Sequence, residues 1–174
     1  TTTLYSSLTE LNDIKDKSSE LEKMHQAGLC VEMVDLSRIY RESHIISLHV
    51  PLYSMTHNLI AENQLSKMRS DAFLINTARG GIVNEQALHE ALSKEKLGGA
   101  ALDVFEEEPY TGTLAELDNV LLTPHMGSCS HDCRAQMELE ATEEVIRFFQ
   151  GERLQNEVPE EEYMYQEKYE KFGS

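Results

Sequence analysis

Four short apolar runs, each followed by a turn signal, organise the middle of the chain. They are Ile45-Ile46-Ser47-Leu48-His49-Val50 before Pro51, Ala72-Phe73-Leu74-Ile75-Asn76 before Gly80-Gly81, Gly99-Ala100-Ala101-Leu102-Asp103-Val104-Phe105, and Asn119-Val120-Leu121-Leu122-Thr123 before Pro124. Continuous apolar runs of this length suit strands covered on both faces, the condition of a parallel sheet. Between the second and third runs the pattern switches to helical spacing. Asn84 can cap a helix there, Ala87, Leu88, Ala91 and Leu92 form one face, and Gly98 can end it. Further helices are predicted from Ser18 to Ala27, from Leu36 to Glu42 behind Asp35 as cap, and from Ala61 to Met68. After Ser130 a long helix carries Met137, Ala141, Val145, Ile146 and Phe149 and stops at Gly151. Alternating strands and helices make βαβ units, and hence an open α/β sheet.

Charge narrows the set of partners. The chain has 174 residues, with 15 Lys plus Arg against 31 Asp plus Glu, a formal net charge of −16. Nucleic acid is excluded as a partner, because neutralising phosphates needs clustered cations. No run approaches the roughly 18 consecutive apolar residues of a membrane span, and the opening Thr1-Thr2-Thr3-Leu4-Tyr5 lacks the basic and apolar regions of a signal peptide. The 3 cysteines, Cys30, Cys129 and Cys133, have the wrong parity for a disulfide framework, so a reducing compartment, the cytoplasm, is expected. Cys129, His131 and Cys133 beside His125 could suggest a metal site, but zinc sites usually recruit two separated ligand pairs and no second pair is present. No metal is expected. The segment 151–174, with its Glu160-Glu161-Glu162 run and Tyr163, Tyr165, Tyr169 and Phe172, reads as an acidic carboxyl-terminal tail; a docking helix is the alternative.

In open α/β sheets ligands gather at the carboxyl ends of the strands. Here those ends supply His49-Val50-Pro51, then Thr77-Ala78-Arg79-Gly80-Gly81, then Asp103 through Pro109, then Pro124-His125-Met126-Gly127. Arg79 offers a planar, permanently charged fork suited to a carboxylate. His125 is the natural proton donor and acceptor near neutral pH, and Glu108, set before Pro109, is a carboxylate able to orient that imidazole. An Arg, a Glu and a His at successive strand ends suit the interconversion of a 2-oxo acid and a 2-hydroxy acid. Taken singly, Arg79 reads as a surface ion-pair partner, Glu108 as part of a solvated acidic loop, and Asp103 as a strand end.

The four blocks together carry a resemblance. Ser47-Leu48-His49-Val50-Pro51-Leu52, Leu74-Ile75-Asn76-Thr77-Ala78-Arg79-Gly80-Gly81-Ile82-Val83-Asn84-Glu85, the run from Gly99 to Pro109, and Leu121-Leu122-Thr123-Pro124-His125-Met126-Gly127 resemble, in order, the signature blocks of the D-isomer-specific 2-hydroxyacid dehydrogenases. The resemblance runs from roughly Asp35 to Gly151. It implies an incomplete Rossmann-like doubly wound parallel sheet with helices on both faces, NAD or NADP as cofactor, a small 2-hydroxy or 2-oxo acid as substrate, and a homodimer. By the same resemblance, Arg79 binds and polarises the substrate, His125 passes the proton, and Glu108 hydrogen-bonds His125. Asp103 matches the residue that contacts the nicotinamide carboxamide, Thr77 and Ala78 match positions beside the ring, and Val50 and Pro51 match the wall of the adenosine pocket. Arg79, His125 and Gly127 complete the expected cofactor contacts. Members that act on formate carry Gln where this chain has Glu108, so formate is a poor substrate for it.

One departure matters. A dinucleotide site needs a glycine-rich turn to hold the pyrophosphate, and no G-x-G occurs anywhere among the 9 glycines. In the family that turn and a substrate domain precede the segment matching Asp35. The chain opens at Thr1 without an initiator Met and is therefore expected to be the carboxyl-terminal half of such an enzyme, with 1–150 as a partial dinucleotide-binding domain. The strand after the missing turn would be Thr2 to Ser7. A hydroxyl at Ser6 or Ser7 in place of the usual acid would not repel a 2′-phosphate, which leaves NADP open. Two other readings stay open as well: a cofactor-sensing corepressor module, and an inactive remnant.

Overall fold

The computed structural model describes residues 2–5, 22–23, 26–28 and 30–157. Six strands run in chain order: β1 (Thr2–Tyr5), β2 (Cys30–Met33), β3 (Ile45–Leu48), β4 (Phe73–Asn76), β5 (Gly99–Leu102) and β6 (Val120–Leu122). β3 to β6 form one four-stranded parallel sheet in the order β3-β4-β5-β6, and β1 pairs with β2, also parallel, as a separate two-stranded sheet. Because Leu48 pairs with Asn76 and Asn76 with Leu102, the strands end level and their following loops emerge along one edge. This is a Rossmann-like parallel α/β arrangement. All four expected runs supply strands, each shorter than its run: β3 and β5 end before the carboxyl ends of theirs, β4 starts one residue late, and β6 loses one residue at each end.

Alternation along the strands fixes which side is core. Ile46, Leu48, Leu74, Ala100 and Leu102 are buried on one face, in a cluster with Tyr40, Leu65, Leu88, Leu92 and Leu114. Full burial of such a side chain contributes about 1.5–3 kcal/mol. Ile45, Phe73 and Leu121 point to the other face and are 52–64% exposed.

Local capping explains the helices. Helix α1 (Leu36–Glu42) begins where the Asp35 side chain accepts the Arg38 N–H at 2.8 Å. Helix α3 (Glu85–Ser93) begins in the same way at Asn84, which accepts the Ala87 N–H at 2.8 Å, and it buries Leu88, Ala91 and Leu92. Its end differs from expectation. A left-handed residue at Glu95 (φ 53°) and a Lys96 N–H to Ala91 carbonyl bond of 2.8 Å close the helix before Gly98 is reached. Helix α2 spans only Glu62–Leu65 of the expected 61–68, because the Lys67 and Met68 N–H groups turn to the carbonyls three residues back. Helix α4 (His131–Gln150) starts at the Ser130 cap and stops at Gly151, whose φ of 70° suits glycine. None of its residues is buried. Beyond it the chain folds back, and the Gln155 N–H donates to Glu144 Oε2 at 3.0 Å.

The β2 strand and a 3-10 turn at Thr113–Glu116 were not expected from the apolar pattern. The Ser18 to Ala27 helix lies mostly outside the described residues, although the Ala27 N–H does bond to the Lys23 carbonyl at 3.0 Å. Ser6, Ser7 and residues 158–174 lie outside the described residues as well.

Candidate active site

The four loops leaving the level ends of β3 to β6 carry every residue singled out from sequence. After β3 come Val50, half-buried against the core, and Pro51, exposed. The Pro51 carbonyl accepts the hydroxyl of the buried Thr56 at 2.7 Å, which fixes this turn. His49 is exposed and meets Ser47 Oγ through Nε2 at 2.8 Å.

After β4 come Thr77, Ala78 and Arg79. Asn76, 1% exposed, organises this loop from inside. Its Oδ1 accepts the Ala78 N–H at 3.1 Å and its Nδ2 donates to the Arg79 carbonyl at 2.9 Å. The Arg79 side chain is exposed, donates to the Ala78 carbonyl at 2.7 Å, and forms no ion pair with a carboxylate among the described residues. Its charge therefore remains available to an anion. Gly80 next to it lies so close to the Phe105 carbonyl that a Cβ would overlap that oxygen. Only glycine lets these two loops touch.

After β5 come Asp103 and the loop to Pro109. Glu108 is bonded through both oxygens: Oε1 accepts the Phe105 N–H at 3.1 Å and Oε2 meets His125 Nδ1 at 2.9 Å. The His125 hydrogen bond, followed by that of the Phe105 N–H, holds the Glu108 carboxyl below its usual range. An ionised carboxylate can only accept, so Nδ1 of His125 carries a hydrogen. Nε2 has no partner among the described residues. The imidazole is aimed by Glu108 and presents its other nitrogen outward. The Glu106 N–H is held at 2.9 Å by Glu85 at the start of α3, where burial foremost raises the Glu85 carboxyl.

After β6 the chain turns sharply, and His125 adopts a left-handed backbone with φ 49°. Asp103, 8% exposed, holds this turn. Its Oδ1 accepts the Thr123 hydroxyl at 2.5 Å and the Met126 N–H at 2.9 Å, and its Oδ2 accepts the Gly127 N–H at 3.1 Å. Burial alone would raise its carboxyl; the Thr123 hydroxyl and then the two N–H groups outweigh that and leave it lowered.

Thus Glu108 and His125 are brought into contact, and the Arg79 loop abuts the loop that carries Glu108. Asn76, Thr56, Thr123 and Glu85 also shape the site, and sequence reasoning did not single them out. One signal was available for Asn76, a polar residue closing an apolar strand. No group of three potential metal-ligating side chains converges among the described residues, and no described helix is long and apolar enough to cross a membrane.

Fold and strand-end constellation define a dinucleotide-domain class of α/β protein. The pattern of the family described as "D-isomer specific 2-hydroxyacid dehydrogenase, NAD binding domain" matches residues 12–127, and the chain belongs to that family. A glyoxylate reductase of Korarchaeum cryptofilum is 44% identical over 135 residues, which cover 76% of this chain and 41% of that protein. The crystal structure of a glyoxylate reductase from Paecilomyes thermophila superposes with a TM-score of 0.78 at 28% identity, covering 92% of this chain and 45% of that one. D-lactate dehydrogenase with NAD+ from Lactobacillus jensenii gives a TM-score of 0.73 at 27% identity, covering 91% of this chain and 48% of that one. The chain thus spans less than half the length of these relatives.

Proposed function

We propose that this chain carries the acid–base and nicotinamide-facing part of a dehydrogenase that interconverts small 2-oxo and 2-hydroxy acids. The observation that carries the reading is the 2.9 Å pair of His125 and Glu108, set beside the loop of Arg79, whose guanidinium forms no ion pair among the described residues. Two of the relatives are glyoxylate reductases, which supports glyoxylate as the first substrate to test.

The residues present fit part of a dinucleotide. Val50 and Ala78 offer apolar walls, Thr77 a hydroxyl, Asp103 a carboxylate acceptor, and Gly127 an exposed main chain. The pyrophosphate turn has no counterpart in this sequence. NAD(P)H, held beside Thr77, Ala78 and Asp103, would supply the hydride. Arg79 binds the substrate carboxylate and polarises the 2-oxo group. Nε2 of His125 gives its proton to the carbonyl oxygen as that oxygen becomes a hydroxyl, and Glu108 keeps the imidazole oriented through Nδ1. In the reverse direction the same nitrogen takes the hydroxyl proton. With a net charge of −16 the overall field repels both anions, so attraction rests on local groups such as Arg79.

We assign residues 1–150 to the dinucleotide-binding domain and 151–174 to an acidic tail. Cytoplasmic location and homodimerisation belong to the same proposal, supported by the thiols of Cys129 and Cys133 and by the family resemblance.

The test is 2-oxo-acid-dependent oxidation of NADH and NADPH. His125→Ala is expected to lower turnover by about 10²- to 10⁴-fold, and near-wild-type turnover in that variant overturns the assignment. The missing G-x-G favours an inactive remnant as a second reading, and the family resemblance leaves a cofactor-sensing module as a third. Cofactor titration separates these: a partner whose binding responds to cofactor without turnover marks the sensing module, and absent binding marks the remnant.

A further inference from the structure

Only three polar side chains are buried among the described residues: Thr56, Asn76 and Asp103. Asn76 is the most enclosed of them. It closes β4 on the same face as Leu74, where Leu would fill the space with no polar group to satisfy. Burying an amide is tolerated when its donor and acceptor are both bonded. Here both bonds go to one short loop: Oδ1 takes the Ala78 N–H and Nδ2 gives to the Arg79 carbonyl. The side chain thereby builds a turn that the backbone alone does not close. The main-chain carbonyl of the same residue accepts the Asp103 N–H at 3.0 Å, and Asp103 in turn holds the turn that contains His125.

We propose that Asn76 is a positioning residue that fixes the Arg79 loop with its side chain and ties that loop to the Asp103 clamp with its main chain. The side-chain and main-chain roles are separable. Asn76→Leu conserves the approximate volume and the Asp103 bond while removing both loop bonds. Asn76→Asp keeps the acceptor for Ala78 but sets an oxygen against the Arg79 carbonyl.

The kinetic consequence rests on Arg79 acting as the substrate-binding residue; the loop consequence does not. Both variants are made in the full 174-residue chain. Amide exchange by NMR is expected to accelerate about tenfold or more at Ala78 in Asn76→Leu, since its bonding partner is gone, and to stay unchanged at Asp103 and Leu88. KM for glyoxylate is expected to rise about 10- to 100-fold in both variants, the scale of a 1 Å misplacement. A folded Asn76→Leu with wild-type Ala78 exchange overturns the proposal, whatever the activity. Wild-type KM in both variants of an active chain overturns it too. If the unmutated chain shows no glyoxylate turnover, the functional reading fails while Ala78 exchange still decides the role of Asn76.

Discussion

Asp103 and Met126 lie 23 positions apart in sequence, yet the carboxylate of one accepts the main-chain N–H of the other at 2.9 Å. Between Asp103's contacts at Thr123 and Gly127 sits His125 with a φ of 49°. A non-glycine residue in that region carries strain of about 1–3 kcal/mol and persists where its surroundings over-determine it. The Asp103 clamp is that surrounding: the strained turn aims the imidazole at Glu108.

Removing the clamp should therefore loosen the turn. Asp103→Ala strands the Thr123 hydroxyl and two N–H groups and is expected to lower stability by about 1–3 kcal/mol. Asp103→Asn, which keeps one acceptor, should lose less. Urea unfolding checks the order, and an Asp103→Ala midpoint equal to wild type contradicts the clamp.

Acidification acts at Glu108. Its carboxyl is lowered in the folded state by His125 first and the Phe105 N–H second. A lowered folded-state value means stabilisation that is fully present above the unfolded carboxylate range and is lost as pH falls through the folded value. Asp103, lowered in net, adds a loss of the same sign. Thermal melts from neutral to acid pH should fall in wild type and fall less in Glu108→Gln; parallel curves would count against the pair.

Gly80 is expected to tolerate no side chain. In Gly80→Ala the new methyl would overlap the Phe105 carbonyl, a backbone atom with no rotamer to move aside. Such overpacking costs about 1–3 kcal/mol, and the urea midpoint should drop accordingly. The same variant should also shift the backbone amide signals of Phe105 and Glu106, since the two loops must part.

Arg79→Lys separates recognition from stability. The residue is exposed and among the described residues its side chain bonds only to the adjacent carbonyl, so the melting temperature should hardly move. Loss of the planar fork should raise KM for the 2-oxo acid about tenfold or more, the effect of 1.4 kcal/mol. Unchanged KM would remove Arg79 from the site.

Much of the fold could be read directly. Leu36–Glu42 forms as expected because Asp35 and the following helical spacing are local signals, and the apolar runs mark the parallel strands, although the expected cover on both faces is not seen: Ile45, Phe73 and Leu121 leave one face largely exposed. β2 escaped notice because Cys30-Val31-Glu32-Met33 is short and largely exposed, and its pairing partner β1 is distant in sequence. Gly98 misled because a glycine is read as a helix stop wherever it falls, whereas Glu95 took the left-handed turn first.

By itself the sequence determined the strand-helix alternation, the residue types delivered to each strand end, and the family blocks that name Arg79, Glu108 and His125 as candidates. Only the tertiary structure decided what holds them. The Asp103 clamp joins partners 20, 23 and 24 positions apart, and the Glu108–His125 pair spans 17. Local propensity carries no information about such pairs, because they exist only once parallel register brings successive strand ends level and burial compels each polar group to find a partner.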